Sequence, residues 1–344
     1  MTLVKEYKII DKNGKVLQVI KSDNFKKLSI NGNKEIEEIK RSDSVLILTS
    51  KCNQNCIFCS RPPSSNIDSM SKEEITDIIE NQKDTVSFEG GEPTLSKDLL
   101  KWIKFAKEKG VKNRVLVTNA VALQSREFCK KLVESGVTLF NINFPTHLEN
   151  MDAYLMGKNF LKLKENAIQN LIDLGQADKI RFTVVINSIN YKILPQFITY
   201  VKTKFPQIFY IEFNFIKKLG KVEKNRYLIP RLKDVKTPLS KALLLCGKFG
   251  IKYITDGIPL CYLDGFEENA VDVSKILQDN YTFQSEKRKS EKCKECSLDV
   301  ICMGPRADYL DLFGDEELVP SRKNPQKIID YVKWHQDYAK KMNL

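Results

Sequence analysis

Residues 52–59 read Cys-Asn-Gln-Asn-Cys-Ile-Phe-Cys, three thiols in eight positions, with Ser60, Arg61, Pro62 and Pro63 directly behind them. A structural zinc site wants four protein ligands, often as two Cys-x2-Cys arms. Here the spacing is Cys52-x3-Cys56-x2-Cys59, and the neighbouring sequence offers no fourth Cys or His. Buried thiols packing as small hydrophobes are the plainer alternative. A cubane iron–sulfur cluster accounts for the number three: three thiolates hold three irons, and the remaining iron keeps coordination sites open for a substrate.

Outward from this stretch the chain alternates. Val45-Leu46-Ile47-Leu48 just before it is an apolar run of the kind a buried parallel strand shows. Further strands are predicted over 85–88, 114–117, 138–143, 180–186 and 209–215. Helical stretches fall between them, over 72–79, 97–109, 125–135, 160–174 and 194–204. Ser71 and Glu74 have capping-box spacing, and Gly110, Gly136 and Gly175 close three helices. Such βα repetition implies a parallel sheet, curled by right-handed crossovers into a doubly wound sheet or a full or partial barrel. Chemistry in these sheets sits at the C-terminal strand ends, where the three cysteines fall.

Ahead of this core, residues 1–41 form a β-rich lead-in with a hairpin signal at Lys12-Asn13-Gly14-Lys15. The core is expected over 42–220. A loop-rich region over 221–324 follows, with a helix near 239–249 and a strand near 251–255, and an amphipathic helix closes the chain over 325–344.

The 344 residues are 42% hydrophobic and 29% charged, which excludes wholesale disorder. No run reaches the roughly 18 apolar residues of a membrane span, and no apolar signal core opens the chain, so a cytoplasmic protein without membrane contact is expected. The 56 Lys and Arg exceed the 44 Asp and Glu by 12. The lysines are scattered, several of them beside glutamates as in Lys72-Glu73-Glu74, a solvated-face pattern, and nucleic acid is not the expected partner. Nine cysteines in a reducing compartment point to metal ligation rather than disulfides.

The loop 52–59 resembles the Cys-x3-Cys-x-aromatic-Cys signature of the radical S-adenosylmethionine (SAM) enzymes, with Phe58 at the aromatic position. Ser87-Phe88-Glu89-Gly90-Gly91-Glu92-Pro93, ending the second strand, resembles that family's Gly-Gly-Glu-Pro element. The resemblance covers about residues 43–217 and implies an α/β fold, a partial (β/α)6 TIM-like barrel. It implies a [4Fe–4S] cluster on Cys52, Cys56 and Cys59, with SAM chelated at the open iron. By the same resemblance Phe58 packs beside the adenine, and Gly90 and Gly91 let backbone approach the ligand. Glu92 and Pro93 lie at the amino group, while Thr118, Asn119, Asn141 and Asn143 reach the ribose or carboxylate. Reductive cleavage of SAM to methionine and a 5′-deoxyadenosyl radical follows, with an external electron donor such as flavodoxin or ferredoxin. The cofactor carries the hard step, so His147 and His335 are not needed as bases. His147 remains a possible substrate contact.

A second set, Cys293-x2-Cys296-x5-Cys302 with Cys261 as a fourth ligand, also makes a normal structural zinc complement. The spacing resembles the auxiliary-cluster extension called SPASM. Arg306 stands where its next cysteine belongs, so the resemblance is to the shortened, twitch form with a second auxiliary [4Fe–4S] cluster. Four thiolates close such a cluster to substrate and leave electron transfer as its role; without Cys261 it would hold an open iron. Cys129 and Cys246 read as buried small hydrophobes, with Cys246 a lesser candidate for the auxiliary set.

The expected activity is oxidative modification of a peptide: a cross-link, a desaturation or a dehydrogenation, as in the maturase-type members. The short lead-in leaves no room for a leader-binding winged helix, so a separate partner presents the peptide or the substrate is a small molecule or nucleotide metabolite. The molybdopterin-precursor cyclase resembles this chain less, since its glycine–arginine tail is missing. A tRNA-modifying enzyme or a non-catalytic metal-binding module are the remaining alternatives.

Overall fold

A computed structural model of the protein describes residues 5–11, 16–22, 34–38, 43–61 and 69–341. Three antiparallel strands come first: β1 (Lys5–Asp11), β2 (Val16–Ser22) and β3 (Lys34–Glu38), ordered β2-β1-β3. β1 and β2 pair as the hairpin signal requires, while the turn at 12–15 lies outside the described residues. This sheet is not an isolated lead-in. Met1–Arg41 groups with Asp256–Leu344 as one compact unit, and Ser42–Thr255 forms the other. Buried Glu6 on β1 supplies the fastening: its carboxylate accepts from Phe283 N at 3.1 Å and Ser285 Oγ at 2.6 Å.

The larger unit holds β4 (Asp43–Ile47), β5 (Thr85–Glu89), β6 (Asn113–Thr118), β7 (Leu139–Asn143), β8 (Ile180–Ile186), β9 (Tyr210–Phe215) and β10 (Lys252–Asp256), whose last residue passes into the other unit. β4 to β9 pair in parallel, and spatial order follows chain order from β4 to β10 without a reversal. A doubly wound sheet needs a reversal where its helices change face. The architecture is therefore the singly wound, partial barrel. Helices α1 (Lys72–Asn81), α2 (Leu99–Glu108), α3 (Arg126–Ser135), α4 (Glu149–Met156), α5 (Leu161–Asp173), α6 (Leu194–Lys204) and α7 (Leu232–Phe249) connect the strands. Ser71 caps α1 in the expected reciprocal box, and Gly136 at φ 103° closes α3.

Strand alternation decides what each sheet face does. Phe88, Phe140, Phe182 and Phe213 point to one face and are fully buried. Phe182 packs against Phe144 with ring centroids 5.1 Å apart and against Phe205 at 6.4 Å. The alternate positions on β7, β8 and β9 include six polar residues: Asn141, Asn143, Arg181, Thr183, Glu212 and Asn214.

The compact sheet unit ends at Thr255 rather than near residue 220, because α7 and β10 complete it. α7 begins at Leu232, ahead of the start expected near residue 239, and Pro238 sits inside the helix. Beyond it lie α8 (Val271–Leu277), α9 (Ala307–Phe313) and α10 (Pro325–Lys341), separated by short 3-10 turns. Among the described residues no helix is long and apolar enough to cross a membrane.

The aromatic layer makes a stability prediction. Phe182→Ala should cost about 3–5 kcal/mol in urea unfolding, because the packed ring leaves a cavity behind. Leu244→Ala, at a side chain 66% exposed, should stay within about 0.5 kcal/mol.

Candidate active site

The cysteine loop leaves the C-terminal end of β4 and is fastened from three sides. First, the exits of β4 and β5 continue their pairing beyond the strands. Leu48 N donates to Glu89 O at 3.0 Å, Gly91 N to Thr49 O at 2.7 Å and Glu92 N to Lys51 O at 2.8 Å. A Cβ on Gly90 would lie 2.3 Å from Thr49 O, and one on Gly91 2.3 Å from Lys51 O. Glycine is needed here so that two backbones can touch. The clash is with the segment leading into Cys52.

Second, α4 receives the loop. Asn55 N donates to Met156 O and Ile57 N to Leu155 O, both at 3.0 Å, using carbonyls that a helix C-terminus leaves free. Third, the segment after β9 closes on it. Lys221 N donates to Cys59 O at 3.0 Å, Asn225 Nδ2 to Ile57 O at 3.1 Å, and the Lys221 ammonium reaches Asn55 Oδ1. Arg61 pairs with Glu89 at 3.2 Å; Pro62 and Pro63 lie outside the described residues.

The sulfurs are half-buried and within electrostatic range of one another. Cys52 Sγ accepts from Gln54 N at 3.4 Å and Asn119 Nδ2 at 3.9 Å, and the Cys56 thiol lies 3.2 Å from Met156 Sδ. Burial, reinforced by the neighbouring thiols, pushes Cys56 up to about 12; burial also raises Cys52 and Cys59. Without metal these groups are protonated thiols at neutral pH, and each releases a proton on ligating iron.

Glu92 is fully enclosed. Its Oε1 accepts from Thr94 N at 3.1 Å, Thr94 Oγ1 at 2.6 Å and Thr118 Oγ1 at 2.7 Å, and its Oε2 from Asn119 N at 2.8 Å. Desolvation raises its pKa, and these donors oppose the rise. The structure thus brings Glu92, Thr118 and Asn119 into one network tying the exits of β5 and β6 to Cys52. Phe58, next to Cys59, and Pro93, next to Glu92, are both buried. Asn141 and Asn143 stand apart on β7. Asn141 Oδ1 accepts from Arg181 Nε at 3.3 Å and from Thr183 Oγ1, whereas buried Asn143 Oδ1 and Asn214 Oδ1 have no hydrogen-bond partner. Arg181 Nε also lies 3.0 Å from Glu212 Oε2. His147 stacks on Tyr200 at 5.1 Å, and burial holds its imidazole below the usual value.

In the other unit, Cys261, Cys293, Cys296 and Cys302 line a single cavity of about 410 Å³, its mouth included. Burial pushes Cys261 up to about 12, with the other three thiols adding to the rise, and Cys302 up to about 11. Backbone N–H groups already point at two of the sulfurs: Ser321 N at Cys296 and Gly304 N at Cys302, each 3.3 Å away. Cys246 is buried in α7 of the sheet unit and does not line this cavity; Cys129 donates to Leu123 O at 2.9 Å. Among the described residues no three His, Cys, Asp or Glu side chains form a site for a single metal ion.

Sequence reasoning missed the supports of the loop. α4 presents no clear apolar stripe, although Glu149 and Asp152 in its first turn and Gly157 behind it are helix-end signals. Asp152 forms a fully buried ion pair with Lys164 of α5 at 2.6 Å, one turn before the carbonyls that hold the loop. Lys164 also acts electrostatically on Cys56.

The fold is a curled parallel sheet with a three-thiol loop at its C-terminal rim. Residues 46–201 match the family model of the Radical SAM superfamily, so the chain carries a radical SAM domain. It is 27% identical over 193 residues to the 7,8-dihydro-6-hydroxymethylpterin dimethyltransferase of Methanocaldococcus jannaschii, covering 54% of this chain and 38% of that one. It is 29% identical over 177 residues to the GTP 3′,8-cyclase of Campylobacter lari, covering 48% and 53%. The chain thus matches about half or less of the length of each. Among solved structures, anSMEcpe with bound AdoMet and Kp18Cys peptide superposes with a TM-score of 0.59 at 14% identity, over 87% of this chain and 98% of that one. At that identity the likeness is one of fold.

Two substitutions probe the seating of the loop. Gly91→Ala should abolish most iron loading at the three-cysteine loop, whereas Gly247→Ala, with open space around it and no positive φ, should leave iron content unchanged. Lys164→Met strands a buried carboxylate and should cost about 3–5 kcal/mol in denaturant unfolding.

Proposed function

We propose that this chain is a radical SAM enzyme in which Cys52, Cys56 and Cys59 hold the catalytic [4Fe–4S] cluster, and that it oxidises a small polar metabolite. A second [4Fe–4S] cluster on Cys261, Cys293, Cys296 and Cys302 accepts the resulting electron. The observation that carries the reading is the three-cysteine loop braced on Gly90 and Gly91 at the C-terminal end of β4. When bound, the cluster and SAM supply a 5′-deoxyadenosyl radical able to take hydrogen from an unactivated C–H bond.

The protein's part is placement. Glu92 fixes Asn119 beside Cys52 and holds the exits of β5 and β6 together, so the groups proposed to contact SAM share one rigid network. The SAM site of this proposal also takes in Phe58, Gly90, Gly91 and Pro93, while Asn141 and Asn143, which stand apart on β7, are left to the substrate. The polar positions of β7 to β9 give a substrate hydrogen-bonding partners, among them the unpartnered oxygens of Asn143 and Asn214. A polar molecule satisfies such groups better than an apolar one. The names of the matched relatives, a pterin dimethyltransferase and a GTP cyclase, support a small heterocyclic or nucleotide-like substrate.

For the second set, the support is the cavity. Four thiols line it together, and backbone N–H groups already point at two of the sulfurs, as the sulfurs of a cluster require. The twitch-like region of this proposal lies within Asp256–Leu344, since α7 and β10 belong to the sheet unit.

Anaerobically reconstituted protein given SAM and a low-potential reductant should release 5′-deoxyadenosine, and Cys56→Ala should release none. Incubation with a deuterated metabolite extract should move deuterium into 5′-deoxyadenosine and yield a product lacking two hydrogens. Deuterium transfer from precursor peptides alone would replace the metabolite with a peptide substrate, and no SAM cleavage would end the radical reading.

A further inference from the structure

We propose that Tyr154, Leu219, Lys224, Arg226 and Tyr227 form a docking surface for an acidic one-electron carrier protein that reduces the cluster on the cysteine loop. The inference rests on the reading that Cys52, Cys56 and Cys59 hold that cluster.

Position is the first argument. Tyr154 lies on α4, one and two residues before the carbonyls of Leu155 and Met156 that receive Ile57 N and Asn55 N. Tyr227 lies two residues beyond Asn225, whose side chain donates to Ile57 O, and Leu219 two residues before Lys221, whose N–H donates to Cys59 O. The two tyrosines meet, with hydroxyl oxygens 2.9 Å apart. These residues therefore lie within one or two positions of residues that hydrogen-bond the cysteine loop.

Surface character is the second. Tyr154, Leu219 and Tyr227 are 51%, 43% and 55% exposed, although each is a large side chain that folding normally covers. Paired tyrosines present rigid area with polar tips, a composition enriched at protein interfaces. Charge is the third. Residues 217–226 carry Lys217, Lys218, Lys221, Lys224 and Arg226 against the single acid Glu223, unlike the lysine–glutamate mixture of the helices. Lys224 and Arg226 are exposed. An apolar centre beside a net positive charge steers a partner of opposite sign and fixes its register.

One electron leaves the carrier's reduced cofactor and enters the cluster; the carrier is oxidised by one electron, the cluster is reduced by one, and no proton or bond changes hands.

The test uses full-length, iron-loaded protein and reduced flavodoxin as the acidic probe, with reduced methyl viologen as a small reductant that needs no docking. In Lys224→Glu/Arg226→Glu the rate of cluster reduction by flavodoxin, followed by bleaching of cluster absorbance, should fall about tenfold or more at low salt. The deficit should shrink as salt rises. Tyr227→Ser should slow the same step with little change in salt dependence. Reduction by methyl viologen should stay within about twofold of wild type in both. Unchanged reduction by flavodoxin, equal slowing with both reductants, or a loss confined to peptide or RNA binding would overturn the proposal. Wild-type protein that loads no iron on Cys52, Cys56 and Cys59 would instead defeat the underlying reading, so the two failures are distinguishable.

Discussion

Two stretches of backbone, Thr49–Lys51 and Gly90–Gly91, lie so close that no side chain fits between them. Everything at the rim follows from that contact. It carries the pairing of β4 and β5 past the strand ends, so the chain enters Cys52 in a fixed direction. It also delivers Glu92 into a closed pocket, where its four hydrogen-bond donors come from the exits of two neighbouring strands. A carboxylate so enclosed is tolerated only because it is saturated with donors. Glu92 is thereby a brace, linking the glycine contact to Thr118, Asn119 and Cys52.

The far side of the loop depends on a different kind of contact. Asn55 and Ile57 use carbonyls at the end of α4, and α4 is pinned to α5 by the buried pair Asp152–Lys164. Asp152 also accepts from Phe160 N at 2.8 Å, which fixes the chain between the two helices. A pair with no solvent contact is weak evidence of net stabilisation but strong evidence of a specified geometry, since either partner alone would be a stranded charge. The thiols are set between a backbone contact that admits only glycine and an ion pair that admits only its partner.

How much of this was legible depended on range. Strands such as Ile180–Ile186 declare themselves by alternation, and α1 by Ser71 and Glu74, because the deciding residues are neighbours in sequence. The cysteines and Gly90-Gly91-Glu92 could be read as a site for the same reason. The glycines' purpose could not, since the atoms they avoid lie some 40 residues earlier. Nor could the place of β1, which is fastened through Glu6 to Ser285, a separation of 279 residues. α4 escaped because its job is to offer carbonyls and one buried acid, neither of which leaves an apolar period. α7 starts at Leu232 rather than near residue 239, with Leu232 and Val235 buried ahead of Pro238.

The chain keeps its two cysteine sets in different compact units, one with three thiols at a strand rim and one with four around a cavity. Three leave an iron open for chemistry; four close it and leave electron transfer. The most direct measurement is iron and sulfide per chain after anaerobic reconstitution, comparing wild type with the Cys52→Ala/Cys56→Ala/Cys59→Ala variant. The account predicts about eight irons falling to about four. About four falling to none, with zinc retained, would contradict it by removing the second cluster and the electron acceptor.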